Sequence, residues 1–143
     1  MTKPNIATAQ ALLQVTMLLM RSFSANMRRG SEEGLEPAQV GILMHIGMQV
    51  CTLSELAEHL SVRLPTVSRS VSVLVNAGLI KRWTPEDNRR ISLLDLTIAG
   101  RKKLTNFKNL ADQHVVSILA PLTSVERTQV DVALKNLIKV MKP

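Results

Sequence analysis

Residues 65–77 contain neither Asp nor Glu. Wound as a helix, the segment sends Leu64, Val67, Val71, Leu74 and Val75 to one side. Pro65, Arg69, Ser72 and Asn76 go to the other, flanked by Thr66, Ser68 and Val73. A helix face made only for water usually carries Glu and Lys, which favour the helix. A small, hydroxyl-bearing, acid-free face with one guanidinium suits a polyanion instead. Hydroxyls and amides reach phosphate oxygens, and an arginine forks onto the O6 and N7 of guanine. The chemistry this face offers is close approach to the major groove of duplex DNA.

A second basic site follows at Glu86-Asp87-Asn88-Arg89-Arg90, between two β-like runs. Asn88, Arg89 and Arg90 at a hairpin tip can reach a phosphate or a narrow minor groove. Asp87 is placed to orient Arg89 through an ion pair. Two arginines at a tip carry little meaning alone. Their weight comes from standing one hairpin after the acid-free helix.

Other chemistry fails on inventory. There is no glycine-rich phosphate loop, no nucleophile elbow and no His–carboxylate pair at a useful spacing, so the chain reads as a non-enzyme. His45, His59 and His114 share no metal-ligand spacing with one another or with Cys51, and neither a metal nor a cofactor is implied. Each reads as a core histidine. Cys51 is the single cysteine; it excludes an internal disulfide and fits a reducing, cytoplasmic setting. No Lys, Arg or His stands beside it in sequence to lower its pKa, so it reads as a buried structural thiol.

The chain's 143 residues suffice for a core without metal or cross-links. Aromatic residues are only 2% (Phe23, Trp83 and Phe107, with no Tyr), so the expected core is aliphatic and Met-rich. The same scarcity argues against binding nucleic acid by stacking bases on a sheet. A formal net charge of +7 favours a polyanionic partner. Its excess is spread along the chain, so contact must come from a few well-placed side chains. No stretch reads as a transmembrane helix or a cleaved signal, and no membrane partner is expected.

The elements that position these residues follow from periodicity and caps. Ile6, Ala9, Leu13, Met17, Met20, Phe23 and Met27 stripe a helix over about 6–29. An acidic loop at 32–36 leads to Pro37, which suits the first turn of a second helix, largely buried over 40–48. Thr52-Leu53-Ser54-Glu55 has capping-box spacing and opens a short third helix. The acid-free helix follows, with Gly78 as its stop. Residues 79–83 and 91–96 pair as a hairpin. Thr97 caps a long fifth helix striped by Leu104, Phe107, Ala111, Val115, Ile118 and Leu122. Pro121 and Thr123-x-x-Glu126 mark a break and a sixth helix carrying Val130, Leu134, Leu137, Ile138 and Met141. The fold class is mainly α with a small β-hairpin: a winged helix-turn-helix with flanking helices. Those terminal helices bury their stripes most economically against a second copy of the chain.

Five segments together resemble the MarR family of transcription regulators: Leu53-Ser54-Glu55-Leu56-Ala57, Thr66-Val67-Ser68-Arg69, Gly78-Leu79-Ile80-Lys81-Arg82, Asp87-x-Arg89 and Leu96-Thr97-x-x-Gly100. The resemblance spans nearly the whole chain. Cys51 and Pro65 depart from the family's usual pattern. It implies an obligate homodimer with a lobe built from the first, fifth and sixth helices. It further implies that the fourth helix reads a palindromic operator in double-stranded DNA, and that the wing grips the minor groove. It divides the chain into an N-terminal dimerisation helix (1–31), a winged helix-turn-helix domain (32–100) and C-terminal dimerisation helices (101–143).

Many members of that family bind small, often aromatic, anions or sense oxidants, and release DNA when they do. By that resemblance, and because a crevice opens where the long helices leave the winged domain, an effector cleft is expected near Met17, Met20, Arg21, His45 and His114. Arg21 would meet the carboxylate of a small aromatic acid. The function expected is a sequence-specific DNA-binding regulator, a repressor. Two other readings fit the same elements: a winged helix used as a protein-interaction module, and a non-specific basic architectural DNA-binding protein.

Overall fold

The structure, a computed structural model, describes residues 5–30 and 35–142, with side chains over 5–26 and 35–142. The Met27 side chain and residues 32–34 of the acidic loop lie outside that description. The order is α1 (Ile6–Gly30), α2 (Pro37–Met48), β1 (Cys51–Thr52), α3 (Leu53–His59), α4 (Leu64–Asn76), β2 (Ile80–Trp83), β3 (Leu93–Leu96), α5 (Ile98–Leu119) and α6 (Ser124–Met141). Met1–Lys108 and Asn109–Pro143 are two compact units, and α5 runs through both.

In the first unit the helix starts follow the caps. Pro37 sits in the first turn of α2, and the backbone N–H of Glu36 donates to Gln39 Oε1 at 2.9 Å. Thr52 and Glu55 close a reciprocal capping box on α3. Helices α2, α3 and α4 enclose a core with the sheet: Leu43 and Ile46 from α2, Leu56 from α3, Val67, Val71 and Leu74 from α4, Leu94 and Leu96 from β3. Leu104 of α5 completes it.

That core is aliphatic, as expected, but it is not Met-rich. Met17, Met20, Met44 and Met48 are all exposed. On α2 this corrects the reading of a helix buried nearly all round. Val40, Ile42, Leu43, His45 and Ile46 go in, while Met44 and Met48 fall on the opposite side and are exposed among the described residues. Leu64, assigned to the inner face of α4, is 46% exposed. It is the first residue of the helix, one turn ahead of the stripe that begins at Val67.

The hairpin is part of a three-stranded antiparallel sheet, β1-β3-β2. Cys51 pairs with Leu94 and Thr52 with Leu93, while the β2–β3 register runs from Ile80↔Leu96 to Trp83↔Leu93. At the turn between α4 and β2, Gly78 adopts φ +72°, the left-handed conformation that ends a helix. Thr97 ties this turn to α5. Its hydroxyl donates to the Gly78 carbonyl at 2.6 Å and accepts the Gly100 N–H at 3.0 Å. Gly100 packs so closely on the Leu79 carbonyl that no Cβ fits there.

Helix α1 corrects the membrane reading in one respect. Residues Ile6–Asn26 are long and apolar enough to cross a membrane by length and composition, because a single Arg21 interrupts them too little to break the run. Ile6, Leu13, Met17 and Met20 are each more than 60% exposed. In the second unit, Thr123 and Glu126 form the expected capping box of α6. Helix α6 buries no residue; Val125, Leu134, Ile138 and Met141 are exposed.

Candidate nucleic-acid interface

Two exposed elements of the winged unit carry the candidate residues, and each is built by the core beneath it. On α4, Val67, Val71 and Leu74 are buried at helical spacing and fix which face turns out. Pro65, Thr66, Arg69, Ser72, Val73 and Asn76 are exposed, and Ser68 is half-buried. The helix holds no acidic side chain in its first turn, and Arg63 precedes it in extended conformation. Ser72 Oγ donates to the Ser68 carbonyl at 2.9 Å. Its oxygen still accepts, and the face as a whole offers hydroxyls, one amide and the Arg69 guanidinium. Short side chains let a helix backbone approach base edges, and Arg69 supplies a forked donor.

The loop between α3 and α4 sets the angle of that face. Ser61 adopts φ +51°, its N–H on the Glu58 carbonyl, while the Val62 N–H reaches back to the Ala57 carbonyl. A non-glycine residue in this region is uncommon and marks a constrained turn. Nothing in the sequence reading singled Ser61 out, since glycine is the usual signal for such a bend.

The second element is the wing, β2, β3 and the tip between them. Asn88, Arg89 and Arg90 are exposed there, as expected. The tip is organised by Asn88. Its N–H bonds the Pro85 carbonyl, its Oδ1 accepts the Arg90 N–H at 3.2 Å, and its carbonyl accepts the Ile91 N–H. Asp87 was assigned the orienting role through an ion pair with Arg89. Among the described residues that pair is not formed; Asp87 is exposed in the turn, and the side-chain and backbone bonds of Asn88 shape the tip instead.

Within the wing, the acid that engages cations among the described residues is Asp95, for which the sequence reading gave no role. Its carboxylate lies 2.8 Å from Arg101 of α5 and 3.6 Å from Lys81 of β2. Alternation along β3 was the available signal: Leu94 and Leu96 turn inward, so Asp95 turns outward.

The five residues assigned to an effector cleft are distributed as follows. Met17, Met20 and Arg21 are exposed on α1, and His114 is half-buried on α5 in the second unit. His45 is buried in α2, and its ring meets that of His59 with centroids 4.6 Å apart. Burial, and to a lesser degree His59, hold the His45 imidazole below its ordinary value. Cys51 is buried on β1; burial pushes its thiol up, and Glu55 adds to the shift. Among the described residues no group of three or more His, Cys, Asp or Glu side chains is arranged to hold a metal ion.

Residues 33–91 match the MarR family. The HTH-type transcriptional regulator BilQ of Clostridium symbiosum is 28% identical over 107 residues, 74% of each chain. Among solved structures, RV1404 from Mycobacterium tuberculosis superposes with a TM-score of 0.80 at 23% identity, covering 100% of this chain and 99% of that one. Wild-type MarR from E. coli in its apo form gives a TM-score of 0.75 at 23% identity, over 94% of this chain and 96% of that one. At those identities the two superpositions speak for the fold.

Proposed function

This chain belongs to the MarR family of winged helix-turn-helix transcription regulators through residues 33–91, and from that premise we propose that it is a homodimeric repressor reading a palindromic operator. Helix α4 enters the major groove with Pro65, Thr66, Ser68, Arg69, Ser72 and Asn76. The wing sets Asn88, Arg89 and Arg90 against the flanking minor groove and phosphates. The observation that carries the reading is the exposed, acid-free face of α4 one hairpin ahead of two exposed arginines.

Homodimerisation is supported by the apolar surface left open on α1 and α6, within their own units. Sequestering Leu13, Met17 and Met20, or Leu134 and Ile138, from water requires a partner for each helix, and a second copy presents the same surfaces. The division into 1–31, 32–100 and 101–143 belongs to this proposal.

A small aromatic acid as releasing effector belongs to it too. Arg21 is exposed on α1 one residue after the exposed Met20 and four after Met17. A cation beside a polarisable apolar surface suits a flat anion. His45 and His114 are the further residues of that reading.

Selection of genomic fragments by the purified protein, followed by footprinting, tests the function. The expected result is a protected palindrome with half-sites about 10 bp apart, centre to centre. Equal affinity for random DNA would favour an architectural role. No DNA bound at all would favour the protein-interaction module.

A further inference from the structure

We propose that Asp95 is a positioning residue for DNA binding: it clamps β3 to Lys81 of β2 and Arg101 of α5, and so holds the wing in one orientation beside α4. The proposal rests on the reading of the wing as a DNA-gripping element.

The wing is two strands of four residues with an exposed tip. A ribbon that short does not hold its own orientation in water. Its angle must be set at the base. There β1 pairs with β3, Ile80, Leu94 and Leu96 are buried in the core, and the Thr97 hydroxyl reaches Gly78. Asp95 adds a polar attachment on the outer face. Its Oδ1 accepts from Arg101 Nη2 at 2.8 Å and from the Leu96 N–H at 2.7 Å. Its Oδ2 faces Lys81 Nζ at 3.6 Å, and Lys81 and Asp95 are direct partners in the strand register. The Asp95 side chain is only 17% exposed, while those of Lys81 and Arg101 are 55% and 56% exposed. Two exposed cations thus converge on one covered carboxylate. They join both strands of the wing to the first turns of α5.

Exposed ion pairs of this kind add little to global stability. What the clamp fixes is direction, and only a bound partner that requires that direction senses its loss. Electrostatics alone makes the opposite demand. Asp95 is an acid on a basic wing, so deleting it should strengthen attraction to phosphates. The sign of the effect therefore separates positioning from charge.

The experiment compares four proteins on the selected operator: wild type, Asp95→Ala, Arg89→Ala and the double variant. Asp95→Ala should weaken operator binding about tenfold and flatten the dependence of affinity on salt, as Arg89→Ala does. In the double variant the second substitution should cost at most about twofold more, because a wing already off the DNA has nothing left to lose. Melting midpoints and stoichiometric titration of the DNA-binding fraction separate this loss from unfolding. Should Asp95→Ala fail to fold, Arg101→Gln opens the same clamp and should show the same coupling to Arg89→Ala. Asp95→Ala binding as tightly as wild type, or more tightly, overturns the proposal, and so do fully additive losses. A wild type that binds no DNA overturns the reading of the wing itself and the proposal with it.

Discussion

The imidazole of His45 lies 4.6 Å from that of His59, centroid to centroid, across the junction of α2 and α3. His59 Nδ1 sits 3.1 Å from the Glu55 carbonyl and donates to it. His45 is buried, and its Nε2 has no hydrogen-bond partner among the described residues. A proton added to His45 would be desolvated and would face a second imidazole.

Acid should therefore weaken this fold through His45. Its folded value lies below the ordinary imidazole value, so in that window the unfolded chain binds more protons. Stability is full above about pH 6.5 and falls as the pH drops from there through the depressed folded value. His45→Phe should flatten that fall. Melting midpoints measured across this range check it; an unchanged slope in the variant would assign the acid sensitivity elsewhere.

The two DNA elements should separate by kind of effect. Arg69→Ala is expected to cost about 1–3 kcal/mol and relax preference at one base position per half-site. Arg89→Ala should weaken binding evenly across sequences and lower the salt slope by roughly one to two units per dimer. Affinities on an operator library at several salt concentrations distinguish them. Identical selectivity profiles would contradict the division of labour.

Gly100 should tolerate substitution less well than Gly78, although only Gly78 has a positive φ. A methyl at Gly78 meets nothing within 4 Å, so Gly78→Ala carries only the left-handed backbone cost of about 1–2 kcal/mol. A methyl at Gly100 falls on the Leu79 carbonyl, which cannot move without breaking the Thr97 N–H···O=C bond to Leu79 at 3.1 Å. Overpacking there is expected to cost about 3 kcal/mol or more. Urea denaturation of both variants gives the order directly.

Cys51 should be inert in the folded protein. The thiol is buried and its pKa is raised, so little thiolate forms at neutral pH. Iodoacetamide should label it slowly in buffer and rapidly in urea, and dilute peroxide should leave operator affinity unchanged. Loss of binding on oxidation, reversed by thiol, would contradict this and assign Cys51 a redox role.

The flanking helices should prove inseparable from assembly. Sedimentation at micromolar concentration should give a dimer. Removing residues 1–29 or 123–143 should cause aggregation, because the apolar surface that pairs with them is left open. A soluble, monomeric truncation that still binds the operator would remove both helices from the dimer lobe.

What the sequence made legible was local. Thr52 with Glu55 and Thr123 with Glu126 announced helix starts because a capping box closes within four residues. The α4 face was legible because the buried valines set its phase. Relations between residues distant in the chain were not. The two-residue strand β1 has no periodicity to detect, and its partner lies on β3. His45 meets His59 only because α2 and α3 pack together. Asp95 looked like one polar residue in an apolar run until α5 brought Arg101 to it. Met44 and Met48 show the same limit from the other side, since composition counts apolar residues without saying which find cover.

The Cys51–Leu94 ladder bears on how the chain folds as it is made. Helices α3 and α4 are synthesised well before β3, yet the strand leading into α3 has its partner on β3. The reading helix can coil early, but the platform beneath it closes only after Leu96 has emerged. Contacts between such distant positions slow folding. The step that locks the domain should thus be docking of the wing, and amides at Cys51 and Leu94 should become protected from hydrogen exchange together, after those within α4.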